Sequence, residues 1–302
     1  MVTDQKKCKN IGEMYMKLSI GIGPKQAAAD AYVLCRGFET AIPMAKKLGY
    51  DGVELALMHK DDLRGVPLAS LLSKYDLEVS CITSGQVFSG MHLYLTHPDI
   101  IIRQQAIDVL FGLMSVAKQY GAMLNIGRVR GIFSYGQTRE QAEAMFVNSM
   151  SYLLDRAARD NVPMVIEPIN RYEINFINSL ADCVNALEWF SGYDIGLMPD
   201  LFHMNIEERS IGDTLASFGP LIKYVHLADS NRLSPGWGHI NFEEVFAGLR
   251  TGGFDGWCCI EALPIPTEYE AAKQAIEYIR PFLHRVEDQQ ALIEELPNQG
   301  VV

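Results

Sequence analysis

Eight times along the chain, starting at Lys17, a short apolar run gives way to a segment of helical length, and this alternation limits the fold more than any other feature. The runs are Lys17 to Gly23, Gly52 to Leu57, Glu78 to Thr83, Met123 to Gly127, Pro163 to Glu167, Ile195 to Pro199, Ile222 to Leu227 and Trp257 to Glu261. Helices are predicted around Glu39 to Leu48, Leu68 to Tyr75, Asp99 to Tyr120, Thr138 to Asp160, Ser179 to Phe190, Ile211 to Phe218, Phe242 to Leu249 and Glu268 to His284. Thr138 with Gln141 three residues on reads as a capping box, and Gly121 as a helix stop. Eight strand–helix units in series predict an α/β fold, a (β/α)8 TIM barrel, as one domain over residues 16–286. An open doubly wound sheet is the rival, but Gly21-Ile22-Gly23 lacks the third glycine of a dinucleotide loop and no Walker-type lysine loop occurs.

A barrel of this type fits a chain of 302 residues. Residues 1–15, with Lys6, Lys7 and Lys9 but no apolar stretch, read as an N-terminal extension rather than a secretory signal, and residues 287–302 as a polar tail. No apolar run approaches the length of a membrane span, so a membrane protein is not expected. A net charge of -11 without a basic stripe speaks against nucleic-acid binding. Cys8, Cys35, Cys81, Cys183, Cys258 and Cys259 follow no disulfide or zinc-finger spacing and read as reduced packing residues, with Cys258 and Cys259 on opposite faces of one strand; a cytoplasmic setting is expected.

Barrel geometry gives the strand ends a meaning, because active sites of such barrels form at the C-terminal rim. The fifth to eighth runs each deliver one metal-capable side chain there: Glu167, Asp200, His226 and Glu261. A single strand-end acid is more often a helix cap or an ion-pair partner; four on adjacent staves point to one site. Three carboxylates and an imidazole are a hard donor set suited to Mn2+, Mg2+ or Co2+, with Mn2+ favoured. Such an ion, bound by the carbonyl and adjacent hydroxyl of a ketose, acidifies the carbon-bound proton between them. Glu167 and Glu261 then flank the sugar as catalytic residues, one removing the proton and the other returning it from the opposite face, which is epimerisation.

Nearby residues extend the site. His203, in Asp200-Leu201-Phe202-His203, is placed one loop turn beyond a ligand to hydrogen-bond substrate. Glu173, six residues after Glu167, is placed to arch over as a hydroxyl acceptor. Arg232, in Asp229-Ser230-Asn231-Arg232, offers a planar donor fork, with pairing to Asp229 as the alternative. Asn170 and Arg171 read as loop-shaping residues.

With Glu167-Pro168, Asn170-Arg171, Glu173, Asp200, His203, His226, Arg232 and Glu261, the sequence resembles the ketose 3-epimerase branch of the xylose-isomerase-like TIM barrels, the D-tagatose and D-psicose 3-epimerases. Longer stretches, among them Thr83-Ser84-Gly85-Gln86, Phe202-His203-Met204-Asn205-Ile206-Glu207-Glu208 and Ala228-Asp229-Ser230-Asn231-Arg232, are similar to the 5-keto-L-gluconate epimerase group from Met16 to about Leu283. The resemblance implies a metal-dependent epimerase acting on a small sugar or sugar acid, and a homo-oligomer. A keto-acid substrate requires a cation, for which Arg130 is the first candidate and Arg128 and Arg232 the next. Phe88, Tyr135 and Trp237 are placed in rim loops able to close over a sugar. The same rim would also serve an aldose-ketose isomerase or an inosose dehydratase. A phosphodiester-cleaving enzyme would need more histidine ligands and a cationic groove, and a sugar-binding barrel would need no proton-transfer pair.

Overall fold

The computed structural model describes residues 16–27 and 34–283, so the predicted extension, the tail, Cys8 and the end of the last helix at His284 lie outside the described residues. The parallel sheet curls into a barrel whose staves are β1 (Lys17–Gly23), β3 (Gly52–Ala56), β4 (Glu78–Thr83), β5 (Met123–Ile126), β6 (Met164–Ile166), β7 (Ile195–Leu197), β8 (Tyr224–Leu227) and β9 (Trp257–Ile260). Between β7 and β8 only two isolated bridges, Leu197 to Ile222 and Asp200 to His226, complete the ring. A two-residue strand, β2 (Cys35–Arg36), pairs with β1 outside the ring and had no sequence signal of its own.

The staves are short, and most of their residues are buried. Outward residues such as Leu18, Ile20, Val53, Leu55, Ile82, Leu124, Ile166 and Leu227 join one core with the surrounding helices. The inward set alternates with it along each strand, and Cys81, Val165, Met198, Tyr224 and Cys259 pack as a separate plug inside the barrel. Cys258 and Cys259 therefore do fall on opposite faces, and the five described cysteines are buried and free. Below the rim, Ser19 Oγ, Ser80 Oγ and Tyr224 Oη form a closed hydrogen-bonded triangle with sides of 2.7–3.0 Å, which satisfies three hydroxyls that the interior would otherwise penalise.

The helices run α1 (Phe38–Leu48), α2 (Leu68–Tyr75), α3 (Gly85–Met91), α4 (Ile100–Tyr120), α5 (Arg139–Asp160), α6 (Leu180–Glu188), α7 (Leu201–Glu207), α8 (Ile211–Phe218), α9 (Phe242–Thr251) and α10 (Glu268–Leu283). Thr138 and Gln141 make the expected capping box, and Gly121 ends α4 at φ 65°. Helices α3 and α7 replace predicted loops: both are seven residues long, too short for a periodic signal, and α7 is started by the Asp200 carboxylate accepting from the Phe202 and His203 amides. At 21 residues and a mean hydropathy of 1.5, α4 is long and apolar enough to cross a membrane, contrary to the sequence expectation. In the fold it is a barrel helix, burying Leu110, Leu113 and Met114.

Candidate metal and sugar site

At the C-terminal rim the chain gathers its acids. Glu167 and Glu261 each stand one residue past a strand end, His226 points inward from within β8, and Asp200 follows β7 by three residues, fixed by its bridge to His226. One ligand atom from each lies within 4.8 Å of the others. His226 Nδ1 faces all three carboxylates, at 3.2 Å from Glu167 Oε1, 3.5 Å from Glu261 Oε2 and 3.8 Å from Asp200 Oδ2.

Three carboxylates, two of them buried and Glu261 partly so, cannot share so small a space without a cation. Here the Arg232 guanidinium supplies one, donating from Nη1 to Asp200 and from Nη2 to Glu261. Burial opposes ionisation of Asp200, but Arg232 first, then His203 and His226, hold it well below the usual carboxylate range. Glu167 is likewise held down to about 2 against the penalty of burial, chiefly by His226. Glu261 goes the other way: burial, reinforced by the charges on Glu167 and Asp200, lifts it to about 8 despite His226 and Arg232. Burial alone would lower His226, yet the carboxylates of Glu54, Glu261 and Glu167 raise it well above its ordinary value. The donor set is hard, anionic and convergent on one point, which fits a divalent cation of the Mn2+ or Mg2+ type.

A cavity open to solvent stands over this cluster and is lined by Ala56, Thr83, Gln86, Asn125, Arg128, Glu167, Glu173, His203, Arg232 and Glu261 among others. Of the four substrate contacts expected from sequence, Glu173, His203 and Arg232 line it. His203 is oriented from behind: the Asn170 amide donates to its Nδ1 at 2.7 Å and to Glu173 Oε1 at 3.1 Å, while Asn170 Oδ1 accepts from the Tyr172 amide. With Nδ1 accepting, the proton sits on Nε2, the nitrogen nearer Glu167, and burial lowers the ring so that it stays neutral. His203 is thus a hydrogen-bond donor on the cavity wall, carried on α7 rather than on a loop. Asn170→Ala is expected to free the ring and raise KM about tenfold, roughly the value of one lost hydrogen bond, as steady-state kinetics would show. Arg171 shapes the loop as expected, through a bidentate pair with Glu207.

The Arg232 guanidinium pairs with Asp200 and Glu261, and its backbone amide donates to Asp229 O at 2.9 Å; the Asp229 carboxylate has other partners. That carboxylate accepts from the Ser230, Gly236 and Ile240 amides and folds the 229–240 loop around itself. Arg232 adopts φ 63° and lies over the Phe202 ring at 5.1 Å, which aims its fork at the acids.

Arg130 is a correction. It is fully buried and absent from the cavity wall; Nε donates to Phe176 O at 2.8 Å, Nη1 to Gly127 O at 2.9 Å and Glu167 O at 2.7 Å, and Nη2 to Ile177 O at 2.7 Å. A guanidinium so engaged is a clamp between the loops after β5 and β6, and burial lowers it to about 10. The arginine next in line, Arg128, does line the cavity. Phe88, Tyr135 and Trp237 do not: Phe88 packs on Tyr94, and Tyr135 is fully exposed.

Two neighbours of the cluster had escaped the sequence reading. Asn125 on β5 donates to Glu167 Oε2 at 2.9 Å and holds that carboxylate's second oxygen. Glu54 in β3 is 1% exposed and reaches His226 Nε2 at 2.9 Å. Both sit within apolar strands, where a buried polar side chain requires a partner, and that requirement was the available signal.

Comparison with known proteins agrees with this architecture. Residues 42–282 match the xylose isomerase-like TIM barrel family. An L-ribulose 3-epimerase from a Methylomonas species is 28% identical over 225 residues, covering 73% of this chain and 76% of its own length. A 3-dehydro-D-guloside 4-epimerase from Escherichia coli is 33% identical over 117 residues, 39% of this chain and 45% of its own. The crystal structure of a D-allulose 3-epimerase from Methylomonas superposes with a TM-score of 0.74 at 22% identity, over 90% of this chain and 99% of that one. The chain belongs to the xylose isomerase-like TIM barrel family and, with relatives named as ketose 3-epimerases, to the epimerase class of enzymes.

Proposed function

We propose that the protein is a divalent-metal-dependent sugar epimerase that inverts the carbon next to the carbonyl of a ketose or keto-sugar acid. The observation carrying this reading is the pair Glu167 and Glu261, set three staves apart on either side of Asp200 and His226 and both lining one cavity. Glu167, Asp200, His226 and Glu261 would hold the ion, Mn2+ by preference. When bound it would supply electrostatic stabilisation of negative charge on the substrate's carbonyl oxygen. Glu167 and Glu261 would work as proton acceptor and donor on opposite faces of the carbon, through an enediolate, with the roles exchanged in the reverse direction. Arg232, neutral His203 as a donor and Glu173 as an acceptor would fix the hydroxyls.

Relatives named as 3-epimerases and a 4-epimerase share inversion next to a carbonyl, which supports the reaction class while leaving the substrate open. With Arg130 committed to backbone carbonyls, a keto-acid's carboxylate would be met by Arg128 or Arg232. We further propose a homo-oligomer working in the cytoplasm, a reducing setting in keeping with the free buried cysteines. The test is a panel of 5-keto-gluconates, tagaturonate, D-fructose, D-tagatose and L-ribulose with Mn2+, products resolved by NMR. An epimer next to the carbonyl, lost on chelation and restored by Mn2+, is the expected product. An aldose or a dehydrated product would point to the isomerase or dehydratase alternatives on the same rim, and conversion unaffected by chelation would remove the metal from the account.

A further inference from the structure

Glu54 does not line the cavity and is no part of the four-ligand group that faces it, yet it is an almost fully buried carboxylate in the middle of a strand. Its place is built. The β3–β4 register shifts between Val53 and Glu54, so that Glu54 pairs with Cys81 and the triad hydroxyl of Ser80 is skipped. The extra residue is on β4; β3 itself stays in regular register with β1, with Gly21 opposite Glu54, and ordinary strand alternation turns Glu54 to the barrel interior. There Glu54 Oε2 lies 2.9 Å from His226 Nε2.

We propose that Glu54 is a positioning residue that fixes the tautomer and the angle of the His226 ring, so that Nδ1 is presented bare to the ion. The two ring nitrogens face different chemistry. Nδ1 looks at the oxygens of Glu167, Asp200 and Glu261, and Nε2 looks at Glu54. A carboxylate accepting from Nε2–H keeps the proton on that nitrogen, leaves the Nδ1 lone pair free for a metal, and increases its basicity. The Tyr224 ring, edge-on to the imidazole at 5.7 Å, restricts rotation from below. The inference rests on the proposed metal site, and it assigns Glu54 an effect on metal affinity with no contact to substrate.

Glu54 also forms a possible ligand group with His226 and Cys259. That arrangement would make it the ligand of a second ion, sharing His226 as a bridge. The thiol of Cys259 is shut inside the barrel plug, away from the cavity mouth, which favours the positioning role.

The test titrates Mn2+ into wild-type protein, Glu54→Met and Glu54→Gln, reading free Mn2+ by electron paramagnetic resonance. Methionine has a similar length and no acceptor; glutamine keeps a carbonyl acceptor for Nε2–H. One Mn2+ per chain is expected in wild type, with Kd weakened about 10- to 100-fold in Glu54→Met and less than about tenfold in Glu54→Gln. Equal Kd in all three overturns the positioning role, as does a stoichiometry of two that falls to one in Glu54→Met. Should Glu54→Met fail to fold, Glu54→Leu takes its place as the variant without an acceptor: a Kd weakened about 10- to 100-fold supports the role and a Kd equal to wild type overturns it. Wild-type protein that binds no Mn2+ overturns the metal site itself, and is distinguished by His226→Ala changing nothing.

Discussion

Glu261→Gln is expected to lower kcat by about three orders of magnitude while the protein stays folded, because it removes one of two proton-transfer groups and changes neither size nor shape. The two carboxylates sit in different surroundings, Glu167 beside His226 and Asn125 and Glu261 beside Arg232, at the ends of staves three apart. The consequence is directional. With Glu167 intact, Glu261→Gln should still exchange the proton of one epimer with solvent, returning it to the same face without inversion. Glu167→Gln should show the mirror-image behaviour, and the double variant neither exchange nor inversion. Circular dichroism and melting confirm the fold, and NMR in deuterated water reads exchange separately from turnover. Inversion retained in the double variant would refute the two-base mechanism. A sugar-binding barrel without catalysis would be untouched by either change.

Arg130→Met is expected to cost about 3–5 kcal/mol of stability, a fall in melting temperature of roughly 10 °C, although the side chain touches no substrate. Its guanidinium satisfies four carbonyls, those of Gly127, Glu167, Phe176 and Ile177, and methionine satisfies none. Each abandoned buried acceptor costs about 1–3 kcal/mol, and partial hydration keeps the total below the simple sum. The carbonyl of Glu167 itself is among the four, so a surviving fraction should also lose kcat through a displaced carboxylate. Denaturant melts combined with kinetics separate this from a substrate role. A carboxylate-binding arginine would instead raise KM for a keto-acid with the melt unchanged, and that result would restore the reading made from sequence.

That misplacement shows where the sequence stops being legible. Strand ends were readable at Glu167 and Glu261, which stand directly after the apolar runs of β6 and β9. Which way a side chain turns at a loop was not readable. Arg130 and Arg128 are two residues apart in one short turn, Arg128–Arg130, and only the fold shows that one faces the loops behind and the other the cavity. His203 was located but its support was missed, since seven-residue α7 has too little periodicity to be seen and the partner amide, Asn170, lies in another loop. Glu54 was passed over because it sits mid-strand. Its meaning depends on an imidazole 172 residues away.

The central claim is that one proton leaves and returns at the carbon next to the substrate's carbonyl, between two carboxylates. The most direct measurement is turnover of the best substrate from the panel with Mn2+ in deuterated water, with the label located by NMR. The account predicts one deuterium in the product, bound to the inverted carbon. A label at carbon 1 alone, the mark of aldose–ketose isomerisation, or inversion with no label at that carbon when solvent exchange is free, would contradict it.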